Sequence, residues 1–333
     1  MNTIKIKNTI ISETSPPFVV AEIGLNHNNN LNLAKEMILK AKEVGANAAK
    51  FQTFITEKLL VDNSDAYNIF KELELSNEVL KEIAIYCDEI GIIFFSTPFS
   101  IESVDLLESL NVQCYKIASM DINYYQLIDY VASKMKPVFL STGAASIYEI
   151  DRAVKTVENR GNNQIVIFHC ISKYPPTYSD MDMNMIKKLK TLYPDYLIGF
   201  SDHTIDSTSS IIAKTLGANV FEKHFTISKD LEGVDQKISA DKEEFEKLII
   251  DLNNTAASLE YQSERGDSFI KNGGRRGLYA AFDIEAGTIL NYQMIDIIRP
   301  YNNGVSPEFI DIFIGKKIKR SIKKGEQFTF DII

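Results

Sequence analysis

Short apolar runs alternate with amphipathic stretches along the first 260 residues of the chain. Between the runs, hydrophobic residues recur at helical spacing, as in Ala34, Met37, Ile38 and Ala41, which is typical of a helix with one buried face. The pattern repeats eight times, so it predicts eight strands, each followed by a helix. The predicted strands are residues 18–24, 48–52, 92–97, 112–117, 137–142, 165–169, 196–201 and 220–224.

The predicted strands are almost continuously apolar, which is typical of parallel strands buried on both faces. Eight strand–helix units with no ninth favour a closed (β/α)₈ (TIM) barrel over an open sheet. Beyond residue 274 the pattern changes to short strands and turns, and residues 283–288 are loosely repeated as 321–326. We therefore predict a barrel over residues 1–262, a linker over 263–274 and a small β-rich domain over 275–333.

Charge supports this division and narrows the class of protein. The chain carries a net charge of −9; residues 271–333 hold ten Lys/Arg and seven Asp/Glu, a net of +3, which leaves −12 for residues 1–270. An acidic barrel argues against nucleic-acid binding. No apolar run approaches the roughly 18 residues of a membrane span, and no secretory signal is visible, so we expect a cytoplasmic protein without a membrane partner.

Polar residues stand at the carboxyl ends of nearly all the predicted strands, where a packed core does not need them. A barrel brings all eight strand ends to one face, so residues far apart in sequence converge there. We therefore predict an active site at this face rather than a chance scatter of polar residues. The main strand-end residues are Glu22, Lys50, Gln52, Thr97, Lys116, Ser119, Ser141, Ser201, His203 and His224.

His203 and His224 end neighbouring strands, so their imidazoles could share one metal ion. Two histidines near the carboxylates of Glu22 and Asp235 suit a divalent cation acting as a Lewis acid. We predict Mn²⁺ at this pair, with Mg²⁺ or Co²⁺ as substitutes. The alternative is that each histidine is a hydrogen-bonded core residue.

Lys50 and Lys116 are predicted to point into the same mouth of the barrel. Buried lysines need an anionic partner, and with serine hydroxyls nearby a phosphate or carboxylate ligand is favoured. A lysine that forms a Schiff base is the competing chemistry. Structural ion pairs with Glu22 or Asp121 are the third interpretation.

Eight segments at or near the strand ends carry a resemblance to a known family: AEIGLNH (21–27), KFQ (50–52), STPF (96–99), YKIAS (115–119), LSTG (140–143), HCISKYP (169–175), GFSDHT (199–204) and FEKHFT (221–226). They resemble the sialic acid (N-acetylneuraminate) synthase family, which includes relatives that make legionaminic, pseudaminic and spore-coat nonulosonic acids. The end of the chain resembles the SAF (antifreeze-like) domain of that family, where Arg299-Pro300 matches.

The resemblance implies a reaction. Phosphoenolpyruvate condenses with the open-chain aldehyde of an N-acylated mannosamine-type sugar and releases phosphate and a nine-carbon 2-keto acid. It implies that a metal on His203 and His224 polarises the aldehyde, and that Glu22 and Asp235 hold or deprotonate the water that attacks C2.

The remaining implied roles concern substrate binding. The residues expected to hold phosphoenolpyruvate are Lys50, Lys116, Ser119, Ser141, Ser172 and Ser201. The residues expected on the sugar side are Gln52, Thr97, Phe99, Asp121 and Tyr174. Arg299 is expected to contact the N-acyl group from the partner subunit of a domain-swapped homodimer.

Departures from the family pattern leave the sugar open. Asp121 stands where many sialic acid synthases carry Glu, Ser172 where they often carry Asn, and Gln236 where a His is common. Two rival functions also remain: a metal-dependent or Schiff-base pyruvate aldolase, which would release no phosphate, and a non-catalytic carbohydrate-binding protein.

Overall fold

The computed structural model describes residues 2–260 and 268–333. The chain divides into two compact units, residues 1–260 and 261–333. Each unit has its own hydrophobic core. No helix in the described ranges is long and apolar enough to cross a membrane.

The first unit opens with a hairpin of β1 (Thr3–Ile6) and β2 (Thr9–Ser12). Eight parallel strands then close into a barrel, with the last strand paired to the first, which confirms the predicted (β/α)₈ fold. The fourth predicted strand, residues 112–117, is shorter than expected, because residues 112–114 lie outside it. The barrel strands are β3 (Phe18–Gly24), β4 (Ala48–Thr53), β5 (Ile93–Pro98), β6 (Tyr115–Ile117), β7 (Val138–Ser141), β8 (Ile165–Cys170), β9 (Leu197–Asp202) and β10 (Val220–His224).

Helices follow the strands, and all of those listed below except α3 have buried residues on one face. Ser146 begins α7 with the predicted capping box, in which its hydroxyl and the Glu149 carboxylate each accept a backbone N–H. Gly91 ends α4 in the left-handed conformation, with φ of 73°. The helices are α1 (Leu31–Glu43), α2 (Thr56–Leu59), α3 (Tyr67–Leu73), α4 (Asn77–Ile90), α5 (Ile101–Ser109), α6 (Tyr125–Ala132), α7 (Ile147–Glu158), α8 (Asn184–Leu192), α9 (Thr208–Thr215) and α10 (Lys242–Leu259).

The inward residues of the barrel strands form two layers. The layer nearer the amino-terminal ends is an apolar cluster that includes Phe95, Phe139 and Phe168. Ile4, Ile6 and Ile11 of the β1–β2 hairpin belong to the same cluster, so the hairpin covers the amino-terminal end of the barrel. Further along the strands the inward positions become polar, which places the polar layer at the carboxyl ends.

Gly199 on β9 shows how tightly the interior is filled. A Cβ at this position would lie 2.8 Å from the Phe168 ring on the neighbouring strand. That distance is shorter than real Cβ contacts, so the large ring beside β9 requires glycine here.

The second unit contains α11 (Ser268–Gly274), β11 (Gly277–Ala280), β12 (Ile295–Ile298) and α12 (Ile310–Phe313). The two loosely repeated segments meet through a reciprocal antiparallel bridge between Ile284 and Ile322. Their glycines, Gly287 and Gly325, have φ of 86° and 74°, as tight turns require.

The predicted linker lies partly outside the described residues, which resume at Ser268. The described part of the linker, 268–274, is helical. The exact domain boundaries remain a prediction.

Candidate active site

A cavity lies at the carboxyl ends of the barrel strands and brings together thirteen of the sixteen residues predicted from the sequence. They come from all eight barrel strands or the loops that follow them, as the convergence of a barrel requires. These thirteen are Glu22, Lys50, Gln52, Thr97, Phe99, Lys116, Ser119, Ser141, Ser172, Tyr174, Ser201, His203 and His224.

The other three predicted residues are not among those that line the cavity. Asp235 lies next to one of the lining residues, with its Oδ2 3.7 Å from Nδ1 of His224. Asp121 ends a short 3₁₀ turn after β6, and burial raises the pKa of its carboxyl to about 6. Arg299 belongs to the second unit, where its side chain is exposed.

A chain of alternating charges crosses the floor of the cavity. The Lys50 ammonium lies 2.8 Å from Oε2 of Glu22 and 3.6 Å from Oε1 of Glu222. Lys116 approaches the same Glu222 oxygen at 3.1 Å, and Ser201 donates to it at 3.1 Å. All four charged side chains are at most 6% exposed, so they interact with little screening by solvent.

Burial and pairing shift the pKa values of these groups in different directions. Burial raises the pKa of Glu22 by more than the nearby Lys50 lowers it. At Glu222, burial is outweighed by the charges of Lys116 and Lys50, so its pKa falls. Burial likewise dominates at Lys116 and lowers its pKa, whereas at Lys50 two carboxylates overcome burial and raise it.

Hydroxyl groups surround the same part of the cavity. The Oγ atoms of Ser141 and Ser172 are buried and have no hydrogen-bond partner within the described chain. Ser119 accepts a hydrogen bond from the Gly143 N–H at 2.9 Å and lies 3.2 Å from the Cys170 sulfur. Since buried hydroxyls are normally satisfied, the two free ones mark room for a ligand that accepts hydrogen bonds.

His203 and His224 lie side by side, with ring centroids 5.5 Å apart, and the Tyr174 ring packs 4.3 Å from that of His203. Nδ1 of His203 is 2.9 Å from the Ile171 carbonyl, which fixes that ring and leaves Nε2 for another partner. Burial, reinforced by His224, lowers the pKa of His203 to about 4, and burial also lowers the pKa of His224. Both shifts favour the neutral imidazole, the form that binds metal.

The donor set is compatible with a metal ion but incomplete. Nδ1 of His224 is buried and, in the part of the chain that is described, lacks a hydrogen-bond partner. No group of three or more His, Cys, Asp or Glu side chains in residues 2–260 and 268–333 is arranged to hold a metal. A metal bound here would rely on two histidines and on ligands from substrate or water.

Sequence reasoning missed Glu222, which contacts both lysines. The sequence did contain a sign of it: side chains two residues apart on a strand point to the same side, so Glu222 on β10 points into the barrel as His224 does. Cys170 and Met120 also line the cavity without having been predicted. Cys170 could have been found in the same way, because it lies two residues after the inward-pointing Phe168 on β8. Met120 lies in the turn after β6, where the alternation of a strand no longer predicts the direction of a side chain.

Comparison with known proteins gives matches over most of the chain. The model of the NeuB family matches residues 37–264, and that of the SAF domain matches residues 275–332. A spore coat polysaccharide biosynthesis protein (SpsE) of Bacillus subtilis is 32% identical, over 100% of this chain and 98% of that protein. An N,N'-diacetyllegionaminic acid synthase of Legionella pneumophila is 33% identical, over 95% and 94%.

Solved structures agree with these matches. The crystal structure of an N-acetylneuraminic acid (sialic acid) synthetase from Leptospira borgpetersenii, in complex with citrate, superposes with a TM-score of 0.77 at 32% identity. It covers 81% of this chain, and 94% of that chain is matched.

Proposed function

We propose that this protein, which belongs to the NeuB family, condenses phosphoenolpyruvate with the open-chain aldehyde of an N-acyl-mannosamine-type sugar. The membership confirms the resemblance predicted from the sequence, and relatives named as legionaminic acid and sialic acid synthases support this class of reaction. In the reaction, C3 of phosphoenolpyruvate bonds to the aldehyde carbon, water adds to C2, and phosphate leaves. The products are a nonulosonic 2-keto acid and inorganic phosphate.

One observation carries the proposal: buried lysines and unsatisfied serine hydroxyls share a single cavity with two neutral histidines. Lys116 and Lys50, with Ser119, Ser141, Ser172 and Ser201, would hold the phosphate and carboxylate of phosphoenolpyruvate. Charge-assisted hydrogen bonds in a site shielded from water favour such anions strongly.

Glu22 and Asp235 are the candidates to hold the attacking water and accept its proton. Burial raises the pKa of both carboxyls, which makes them stronger bases than exposed carboxylates. Glu22 is fixed by Lys50 and by Gln52, whose amide donates to it at 3.1 Å. The carboxylate therefore has one defined orientation in the cavity.

His203 and His224 would hold a divalent cation, Mn²⁺ by preference. When bound, that ion would supply Lewis acidity to the aldehyde oxygen of the sugar. The protein side of this arrangement is two adjacent imidazoles, of which His203 is fixed by the Ile171 carbonyl.

The sugar would bind nearer the mouth, against Gln52, Thr97, Phe99 and Tyr174, with Asp121 behind them. Tyr174 is 53% exposed and packs against His203, so it can cover a bound sugar. Arg299 of a partner subunit is proposed to contact the N-acyl group in a domain-swapped homodimer. We place the reaction in the cytoplasm, where phosphoenolpyruvate is made.

The test is phosphate release by purified protein given phosphoenolpyruvate, Mn²⁺ and a panel of N-acyl hexosamines. We expect phosphate to appear only with a suitable N-acyl-mannosamine-type sugar, in equal amount to the 2-keto acid. Carbon–carbon bond formation from pyruvate without phosphate, with an adduct on Lys50 or Lys116 trapped by borohydride, would establish the aldolase instead. Sugar binding without turnover would establish the carbohydrate-binding protein.

A further inference from the structure

A buried ion pair lies on the outer side of the barrel wall, next to the two histidines in sequence. Asp202 on β9 and Lys223 on β10 are register partners, with the Lys223 ammonium 3.3 Å from Oδ2 of Asp202. Their side chains are 1% and 4% exposed. Each residue immediately precedes one of the histidines, His203 or His224, which have the opposite parity and face the cavity.

Nearly all the hydrogen bonds of this pair go to the loop that carries His203. Lys223 donates to the carbonyl of Thr204, and to that of Asp206 at 3.3 Å. Oδ1 of Asp202 accepts from the Thr204 N–H at 2.9 Å and from its hydroxyl at 2.6 Å. The other Asp202 oxygen accepts from Ser210 on α9 at 2.7 Å.

The loop after β8 is joined to the same network. The Tyr178 hydroxyl donates to the Asp206 carboxylate at 2.6 Å, and Tyr174 of the same loop packs on His203. Lys223 therefore links β10 to the loop after β9, and Asp206 links that loop to the one before it.

Stability alone does not explain charges at this place. The surrounding layer is apolar, with Phe200, Phe221 and Ala213 fully buried. Apolar residues of similar volume are often as stabilising as a buried ion pair, or more so, because the pair loses its hydration. What the pair supplies that apolar residues could not is a set of directed hydrogen bonds to Thr204 and Asp206, in the loop that contains His203.

We propose that Lys223 and Asp202 are positioning residues, which fix the loop after β9 so that His203 faces His224 across the cavity. The inference rests on the proposed role of the two histidines as metal ligands. Groups behind metal-binding histidines commonly affect metal affinity by about 10–100-fold, although they do not touch the metal.

The test measures binding of Mn²⁺ alone to metal-stripped protein, by electron paramagnetic resonance, for four variants and the unaltered chain. Lys223→Met removes the ammonium and leaves the Asp202 charge buried, whereas Lys223→Met with Asp202→Asn removes both charges. Lys214→Met is the matched control, because Lys214 is also a buried lysine, bonded to Asn219 before β10 rather than to the His203 loop. His203→Ala tests the metal site itself.

We expect both Lys223 variants to bind Mn²⁺ about 10–100-fold more weakly, and Lys214→Met to bind it as the unaltered protein does. The double variant should melt at a higher temperature than Lys223→Met while its Mn²⁺ affinity stays low, which separates positioning from stability. Equal Mn²⁺ affinity in Lys223→Met and Lys214→Met would overturn the inference.

The two proposals can fail separately. If His203→Ala binds Mn²⁺ as tightly as the unaltered protein, the proposed metal site is wrong. The positioning role of Lys223 is then tested by measuring turnover together with hydrogen exchange at residues 203–206. A lower kcat and faster exchange in Lys223→Met than in Lys214→Met would support that role, and equal values would overturn it.

Discussion

At the scale of single residues, Lys50 and Lys116 contact the same Glu222 oxygen, yet their pKa values shift in opposite directions. Lys50 also has Glu22 at 2.8 Å, so two carboxylates compensate its burial. Among the described residues, Lys116 has only the Glu222 carboxylate beside it and lies at the edge of the apolar layer, with its Nζ 5.3 Å from the centroid of the Phe168 ring. Lys116 is therefore the lysine with more to gain from a bound anion.

This difference predicts that Lys116→Met lowers kcat/KM for phosphoenolpyruvate by at least tenfold. A hydrogen bond to a charged group contributes about 1.5–3 kcal/mol, and about 1.4 kcal/mol corresponds to a factor of ten. Steady-state kinetics with the sugar saturating would measure the loss. Lys58→Met is the control, since Lys58 pairs with Glu102 at an exposed position. A Lys116→Met enzyme no worse than Lys58→Met would remove Lys116 from the anion site.

Asp121 gives a prediction about pH. Its Oδ2 is buried and has no hydrogen-bond partner among the described residues, and burial raises the pKa of the carboxyl from an ordinary 3.8 to about 6. The folded protein thus disfavours the charged form, so Asp121 costs stability progressively as pH rises from about 4 to above 6. Asp121→Asn should raise the melting temperature at pH 8 and have a smaller effect near pH 4.

The control for Asp121 is a carboxyl group whose pKa is shifted in the opposite direction. Hydrogen bonds from Arg160 lower the pKa of Asp129, so its charged form is favoured on folding. Asp129→Asn should therefore lower the melting temperature slightly at pH 8. Melting curves between pH 4 and pH 8 would measure both variants, and an Asp121→Asn protein no more stable than the parent at pH 8 would contradict the argument.

At the scale of elements, the sequence predicted the strands and the polar strand ends well, because both depend on local periodicity. The barrel then places inward residues such as Lys50 and Ser201 without further information. Residues in loops were less predictable: Asp121 lies on a 3₁₀ turn outside the lining of the cavity. The Lys223–Asp202 pair was not predicted either, since its meaning depends on which backbone carbonyls the lysine reaches.

Strand β9 also carries a prediction about packing. Gly199→Ala places a methyl group where the Phe168 ring lies, so we expect a loss of about 1–3 kcal/mol in the free energy of unfolding. Phe168→Leu should cost stability alone but less in the Gly199→Ala background, because the smaller side chain leaves space for the methyl group. Urea denaturation of the four proteins of this cycle would measure the coupling, and strictly additive losses would contradict the contact.

At the scale of the whole molecule, a net charge of −12 over residues 1–270 contrasts with +3 over residues 271–333. Opposite charges favour association of the second unit with a barrel, which is consistent with the proposed homodimer. Arginine suits the proposed contact because its guanidinium stays charged and binds carbonyl or carboxylate oxygens with two donors. Arg299 at the end of β12 is proposed to act on the partner's barrel.

Mixing two inactive variants tests that arrangement. Arg299→Ala and His203→Ala should each be nearly inactive alone, whereas a mixed dimer combines one intact barrel with one intact Arg299. We expect partial recovery of phosphate release after subunits exchange, with exchange measured separately by labelled subunits. If exchange occurs and activity does not return, Arg299 acts within its own chain; an active Arg299→Ala protein excludes it from the site.

The hairpin at the start of the chain has a consequence for the order of events in catalysis. Ile4, Ile6 and Ile11 share one apolar cluster with inward residues such as Phe95 and Phe139, and this cluster fills the amino-terminal end of the barrel. We infer that the cavity is closed at that end and has its mouth at the opposite face. In a cavity that is closed at one end, the ligand that binds deepest has to enter first. A ligand that reaches Lys116 and Ser201 therefore enters before another ligand occupies the mouth beside Tyr174, and it leaves only after that second ligand has left. For the proposed substrates we therefore expect ordered binding, in which phosphoenolpyruvate enters first, the sugar enters second, and the product leaves before another cycle starts.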